Sequence, residues 1–232
     1  MAIQSFNDLA EEYDDWFDEN KAIYEAEIEV LRALTPKTGK GLEVGVGTGR
    51  FAAPLGIQTG IDPARRALQH ARARDVRVCQ AVGEQLPFER GQFDYILLNT
   101  VDPFVDDIQI ILIEIHRVLN AQGWIIIGMI DKDSHLGQVY DAGKDKDPFF
   151  RNAHFHSCDE MIHHLHNVGF TNIFCRQTLM DAFQTAAHES GNESETIGDF
   201  LAIRDGYGEG AFVALHANKL KSKRDLNDST KT

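Results

Sequence analysis

The chain has 232 residues, 43% hydrophobic and 25% charged, enough for one folded α/β core and unlike the composition of a disordered segment. Its formal net charge of −13 repels a phosphate backbone and argues against non-specific nucleic-acid binding. The longest apolar run, WIIIGMI at 124–130, is too short to cross a bilayer, the acidic N-terminus lacks a secretory-signal pattern, and three cysteines (Cys79, Cys158 and Cys175) do not make a disulfide framework; the expectation is a soluble, cytoplasmic protein.

Over residues 6–17, Phe6, Leu9, Ala10, Tyr13, Trp16 and Phe17 recur at helical spacing. Tyr24, Ile28, Leu31 and Leu34 carry the pattern into a second helix, which Pro36-Lys37-Thr38-Gly39 breaks. From there short apolar strands alternate with helices. GLEVGV (41–46) predicts a buried strand, followed by glycines and a helix. IQTGID (57–62) is a second strand, with Pro63 placed to open the next helix. VRVCQA (76–81) is a third strand, and FDYILLN (93–99) a fourth, apolar throughout as a strand covered on both faces should be. Ile108, Ile111, Leu112, Ile115, Val118 and Leu119 form one helical stripe, with Asp106 and Asp107 at its positive N-terminus. Gly123 leads into the fifth strand, WIIIGMI.

This alternation predicts a parallel sheet with helices on both faces. Further on, Ser157-Cys158-Asp159-Glu160 reads as a capping box opening a helix through Asn167, and Gly169 stops it. FTNIFCRQTL (170–179) and AFVALHA (211–217) are the sixth and seventh strands. Between them only residues 196–203 are weakly periodic, and a gap of that length inside a compact domain usually has a functional reason. Residues 217–232 hold five basic side chains (Lys219, Lys221, Lys223, Arg224, Lys231) against Asp225 and Asp228, leaving −16 on residues 1–216. A flexible basic tail from residue 218 is expected.

The strongest chemical signal is Glu43-Val44-Gly45-Val46-Gly47-Thr48-Gly49, between the first sheet strand and the helix after it. Glycines there let the chain turn tightly and let a ligand approach backbone N–H groups that a Cβ would shield. Gly47 to Ala52 also fits the dinucleotide pattern G-x-G-x-x-A, which would suit a nicotinamide-dependent oxidoreductase. Against that, Gly45 precedes the pattern, an acid stands at Glu43 inside the strand, and Asp62 follows Gly47 by only 15 residues.

E-x-G-x-G-x-G resembles motif I of the class I S-adenosylmethionine-dependent methyltransferases. GIDPARRAL (60–68) resembles that family's second-strand segment, GEQLPFERGQFDYILL (83–98) its adenine-side loop and fourth strand, HRVLNAQGWIIIG (116–128) its helix, turn and fifth strand, and FHSCDEMIHHLHNVGF (155–170) the helix leading into strand six. Together these span roughly residues 5–217. Within the class, VDPFVDD (101–107), IDKDSHLGQVY (130–140), DPFFRNAHFHS (147–157) and YGEGAFVAL (207–215) are similar to the poorly characterised bacterial and archaeal type 11 group, some members of which carry an amine-methyltransferase label.

The resemblance implies a Rossmann-like, doubly wound sheet of seven strands, the last antiparallel, in one domain over 1–217 whose residues 1–35 form a helical cap. It implies S-adenosylmethionine as methyl donor, with S-adenosylhomocysteine as product, and transfer to a small-molecule acceptor by in-line displacement. Gly45, Gly47 and Gly49 would lie under the methionine part. Glu43 would orient the loop or meet the methionine amine, and Asp62, followed by Pro63, would hold the ribose. The family often has a polar residue just before the adenine loop; Val82 stands there, which shifts adenine contact to Gly83 and Glu84. Asn99 and Thr100 would end strand four beside the sulfonium, and Tyr13 would cover the cofactor. Segments 131–156 and 180–210 would form the acceptor side and its lid, where Asp131 and Asp133 would suit an amine or serve as loop acids. No catalytic base is assigned, and no metal: the histidines at 154, 156, 163, 164 and 166 lack a metal-ligand spacing. A nicotinamide oxidoreductase and a non-catalytic module binding the same cofactor are the alternatives. Neither the acceptor nor the oligomeric state is legible.

Overall fold

The computed structural model describes residues 2–151, 153–180 and 198–220. The expected N-terminal helix is two, α1 (Ala2–Asp8) and α2 (Ala10–Glu19), broken at Leu9, and α3 (Lys21–Arg32) follows. The alternating part comprises β1 (Gly41–Val44), α4 (Ala52–Leu55), β2 (Thr59–Asp62), α5 (Arg65–Ala73), β3 (Arg77–Gln80), β4 (Phe93–Asn99), α6 (Ile108–Val118) and β5 (Leu119–Ile130). The chain continues through α7 (His135–Gly143), α8 (Cys158–Val168), β6 (Phe170–Met180), β7 (Arg204–Asp205) and β8 (Gly210–Lys219).

The sheet order is β3-β2-β1-β4-β5-β8-β6-β7. Strands β1 to β5 pair in parallel, while β8 runs antiparallel between β5 and β6. The expected architecture is present, with one addition: the two-residue β7 pairs with β6 and makes the sheet eight-stranded. So brief a strand has no hydrophobic alternation for a sequence pattern to detect. Pro63 lies two residues before α5, whose N-cap is Ala64, so it precedes the helix instead of opening it. Strand β8 runs to Lys219, so the boundary expected at 217 falls too early; the Lys219 ammonium is drawn in to donate to the Leu119 carbonyl at 2.7 Å. Residues 221–232, and most of the expected lid at 180–210, lie outside the described residues.

Alternation along the central strands divides the core. Ile96 and Leu98 of β4, with Ile125 and Ile127 of β5, pack under Ile111, Leu112 and Ile115 of α6 and Met161 and Leu165 of α8. Leu97 and Ile126 face the other way, toward Val30 and Leu31 of α3 and Leu68 and Ala71 of α5. The capping box of α8 forms in full, with Ser157 accepting from the Glu160 N–H and Glu160 accepting in return, and Gly169 closes the helix at a left-handed φ of 94°. Strand order reverses between β1 and β4, and there the helices on opposite faces diverge to open a cleft at the carboxyl ends of the strands.

Candidate active site

The cleft at this switch point is walled by the ends of β1, β2 and β4 and roofed by the N-terminal helices. With its open mouth the cleft takes in about 900 Å³. Nine of the eleven residues expected to bind the cofactor line it: Tyr13, Gly45, Gly47, Asp62, Pro63, Gly83, Glu84, Asn99 and Thr100. Glu43 and Gly49 do not reach its wall. Glu43 is 1% exposed beneath the loop, and Gly49 packs against α5.

The three glycines differ in what a side chain would meet. At Gly49 a Cβ would lie 2.9 Å from the Ala71 Cα, and at Gly45 it would run into Val101 at 2.2 Å. At Gly47, where φ is +50°, the nearest atom is Cε1 of Tyr13 at 3.7 Å. So Gly45 and Gly49 are small because protein packs against them, and Gly47 is bare toward the cleft.

The loop is held by charge. Asp62 accepts the Gly47 N–H at 3.0 Å and the Ala64 N–H at 2.7 Å, tying the turn after β1 to the start of α5. Burial raises the Asp62 carboxyl above its ordinary value, against the pull of those two N–H groups. Across the loop, Asp14 of α2 accepts from Arg50 at 3.0 and 2.9 Å and from Arg74 at 2.7 Å, while Arg74 also donates to the Thr48 carbonyl at 2.9 Å. Burial pushes the Asp14 carboxyl up, but the arginine hydrogen bonds overcome it and hold the pKa at about 2. This clamp fixes the cap helix over the glycine loop. The sequence reading missed it because Asp14 and Arg74 are 60 residues apart.

Burial pushes Glu43 well above the carboxylate range, opposed by the Ala52 N–H, and its Oε2 is buried without a partner among the described residues. The Asn99 Oδ1 is likewise buried and, among the described residues, unpartnered; it is set against Gly128, where no side chain fits. Thr100 adopts a left-handed φ of 51°, and its N–H donates to the Gly128 carbonyl at 2.7 Å. A non-glycine residue held there stores strain at the mouth of the site. The opposite wall is apolar, formed by Val82, Val101, Phe104, Val105 and Ile111. Phe6 joins Phe104 at 4.9 Å and Tyr13 at 5.3 Å between ring centres. Burial first, then the charges of Glu27, Asp62, Glu43 and Asp14, keep the Tyr13 hydroxyl protonated far above the usual phenol range.

Asp131 and Asp133 do not furnish an acidic acceptor wall. The Asp131 carboxylate is turned inward, accepting the Asp133 N–H at 3.1 Å and the Cys158 N–H at 3.2 Å, and Asp133 is exposed. Among the histidines at 154, 156, 163, 164 and 166, His156 faces the buried Asp102 at 3.3 Å and stacks edge-on with His154 and His164. Phe104 and Val105 belong to the segment at 101–107 already noted in the sequence; their place in the cleft wall was not legible there.

A glycine floor with one bare position, a carboxylate at the end of β2 and an apolar slot fit an adenosine bearing a polar tail. Comparison with known proteins agrees. A family model described as a methyltransferase domain matches residues 42–127. An uncharacterised protein of Methanocaldococcus jannaschii is 43% identical over 215 residues, covering 93% of this chain and 98% of that protein. An uncharacterised Mycobacterium tuberculosis protein is 35% identical, over 88% of this chain and 70% of its own length. A solved Thermotoga maritima structure, described as an S-adenosylmethionine-dependent methyltransferase and possible histamine N-methyltransferase, is 35% identical with a TM-score of 0.83, covering 93% of this chain and 99% of that one.

Proposed function

The chain belongs to the S-adenosylmethionine-dependent methyltransferases, and we propose that it methylates a small-molecule amine, using the nine cleft residues to hold the donor. Bound in the cleft, S-adenosylmethionine supplies an electrophilic methyl group on a sulfonium whose departure leaves a neutral thioether. No anion forms on the leaving group, so the chain's contribution is positioning and exclusion of water.

Each residue then has a stated task. Asp62 keeps lone pairs free beyond its two backbone contacts and accepts the ribose hydroxyls. Gly47 lets the methionine end lie against backbone, with Tyr13 above it. Gly83 and Glu84, with Val82 and Ile111, border the base. Asn99 and the strained Thr100, at the end of β4, border the donor's sulfonium end beside the acceptor. Glu43 acts from beneath, anchoring the start of α4 through the Ala52 N–H. The space beside Gly47 carries the reading, because packing demands nothing of that glycine and a ligand does.

The amine is supported by the aromatic character of the acceptor side, where Tyr13, Phe149, Phe150 and Tyr140 gather, and by the description of the T. maritima relative. Calorimetric titration with S-adenosylmethionine, S-adenosylhomocysteine and NADH tests the donor assignment. Saturable binding of the two adenosyl-sulfur ligands without NADH binding is the expected outcome. NADH binding in their place would overturn it.

A further inference from the structure

Glu27 is on α3, and its helix neighbours Ala26, Ile28, Val30 and Leu31 are all core residues. It is itself 7% exposed, yet among the described residues its carboxylate has neither a hydrogen bond nor an ion pair. An unpaired carboxylate in a core is costly, and an apolar residue at that position would complete the α3 face. Burial alone raises the Glu27 pKa to about 8.

Its surroundings give the acid a use. Its charge bears on the hydroxyls of Tyr13 from α2 and Tyr140 from α7. Tyr13 lines the donor cleft beside Gly47. Tyr140 stacks on Phe150 at 5.1 Å, and Phe150 stacks on Phe104 of the cleft wall at 5.7 Å. Phe149 closes the ring of aromatics against Tyr13 at 5.8 Å. Asp62, Glu43 and Asp14 act on Tyr13, and Asp147 on Tyr140; no Lys, Arg or His of the described residues pairs with Glu27. Tyr13 and Tyr140 pack against the same core cluster as Ala26 and Ile28, the neighbours of Glu27, and aromatic side chains near an acid without a basic partner are the chemistry that takes an organic cation. A neutral acceptor would leave the acid protonated with nothing to pair it, and an anionic one would oppose its ionisation. A metal ion is disfavoured because no cluster of three ligating side chains forms among the described residues.

We propose that Glu27 is the anionic residue that holds the ammonium group of the amine acceptor, on the side of the molecule where Tyr13 and Tyr140 pack against the core cluster of α3. The inference rests on the methyltransferase reading above and adds the group that selects the acceptor. An ammonium docking there forces the carboxyl to ionise, so binding releases a proton.

The test is calorimetry on protein saturated with S-adenosylhomocysteine, titrated with ethylamine, 2-phenylethylamine and histamine, and with 2-phenylethanol as a neutral isostere, in buffers of different ionisation enthalpy. At least one amine is expected to bind, with release of about one proton near neutral pH, and the alcohol is not. In Glu27→Gln the proton release disappears and amine affinity falls roughly tenfold or more, while S-adenosylhomocysteine binds as before. Glu27→Asp retains proton release. Failure of S-adenosylhomocysteine to bind would bring down the methyltransferase reading itself. Normal binding of that ligand with no amine bound, amine binding without proton release in the wild type, or a Glu27→Gln variant that binds amines unchanged would each overturn the role of Glu27 alone. The wild-type proton count decides the matter even if the variant folds poorly.

Discussion

Replacing Gly47 and Gly49 by alanine separates a glycine kept for a ligand from one kept for packing. Both have positive φ, +50° and +82°, so each alanine incurs the left-handed penalty of about 1–2 kcal/mol. They differ in what the new methyl meets. At Gly49 it comes 2.9 Å from the Ala71 Cα and 3.1 Å from its Cβ, and a helix backbone has little room to retreat, which adds about 1–3 kcal/mol of overpacking. At Gly47 the methyl has only the Tyr13 ring at 3.7 Å, ordinary contact that adds nothing. Thermal unfolding without ligand should therefore show a loss of roughly 2–8 °C for Gly47→Ala and clearly more for Gly49→Ala, taking about 2–4 °C per kcal/mol in a chain of this size. Titration with S-adenosylhomocysteine should show the opposite ranking per unit of lost stability. The Gly47 methyl projects into the cleft and should weaken binding roughly tenfold or more, equivalent to about 1.4 kcal/mol. Wild-type affinity in Gly47→Ala would refute the argument that the bare position serves the ligand. Equal destabilisation of the two variants would refute the packing distinction.

Three further outcomes follow from the same geometry. Asp62→Asn presents an amide where the carboxylate accepts two N–H groups, so it should lose about 1–3 kcal/mol by chemical denaturation and bind S-adenosylhomocysteine more weakly. Asp14→Asn breaks a clamp between the surface and buried cases, with a cost of roughly 1–3 kcal/mol. Because the Asp14 pKa is depressed from 3.8 to about 2, its contribution is complete above 3.8 and disappears as pH falls toward 2; a difference that persists at the acid end of a urea-melt pH series would contradict the clamp. Glu27 has the opposite sign. With its folded pKa raised from 4.5 to about 8, the folded state is progressively penalised between those values, so Glu27→Gln should gain stability relative to wild type across that window, by at most about 1.4 kcal/mol per pH unit, and level off above it. A flat difference through the window would show that Glu27 is not buried as described.

The layered α/β sheet and most of the residues that line the cleft were legible in the sequence, because both follow from local rules. Doubly covered strands such as FDYILLN read as continuous apolar runs. Glycines after the first sheet strand and an acid at the end of the second fall at the switch point in any such sheet. The sequence also prescribed the α8 capping box, since each partner lies within one helical turn of the other.

What it left to the tertiary structure are the features made by residues distant along the chain. Nothing in the spacing of Gly45, Gly47 and Gly49 separates them; only Val101 and α5, arriving from elsewhere, fill the space beside two and leave the third bare. The surroundings of Asp131 and Glu27 are set the same way. Following a strand, Asp131 reads as an acceptor-side acid or a loop acid, and the folded turn decides for the loop by supplying it with backbone N–H groups from positions 133 and 158. Glu27 carried no signal in the sequence, and only the packing of α3 against the core left it nearly buried and, among the described residues, without a partner. Whether a carboxylate is solvated, capped or uncompensated depends on neighbours in space, and the tertiary fold chooses them.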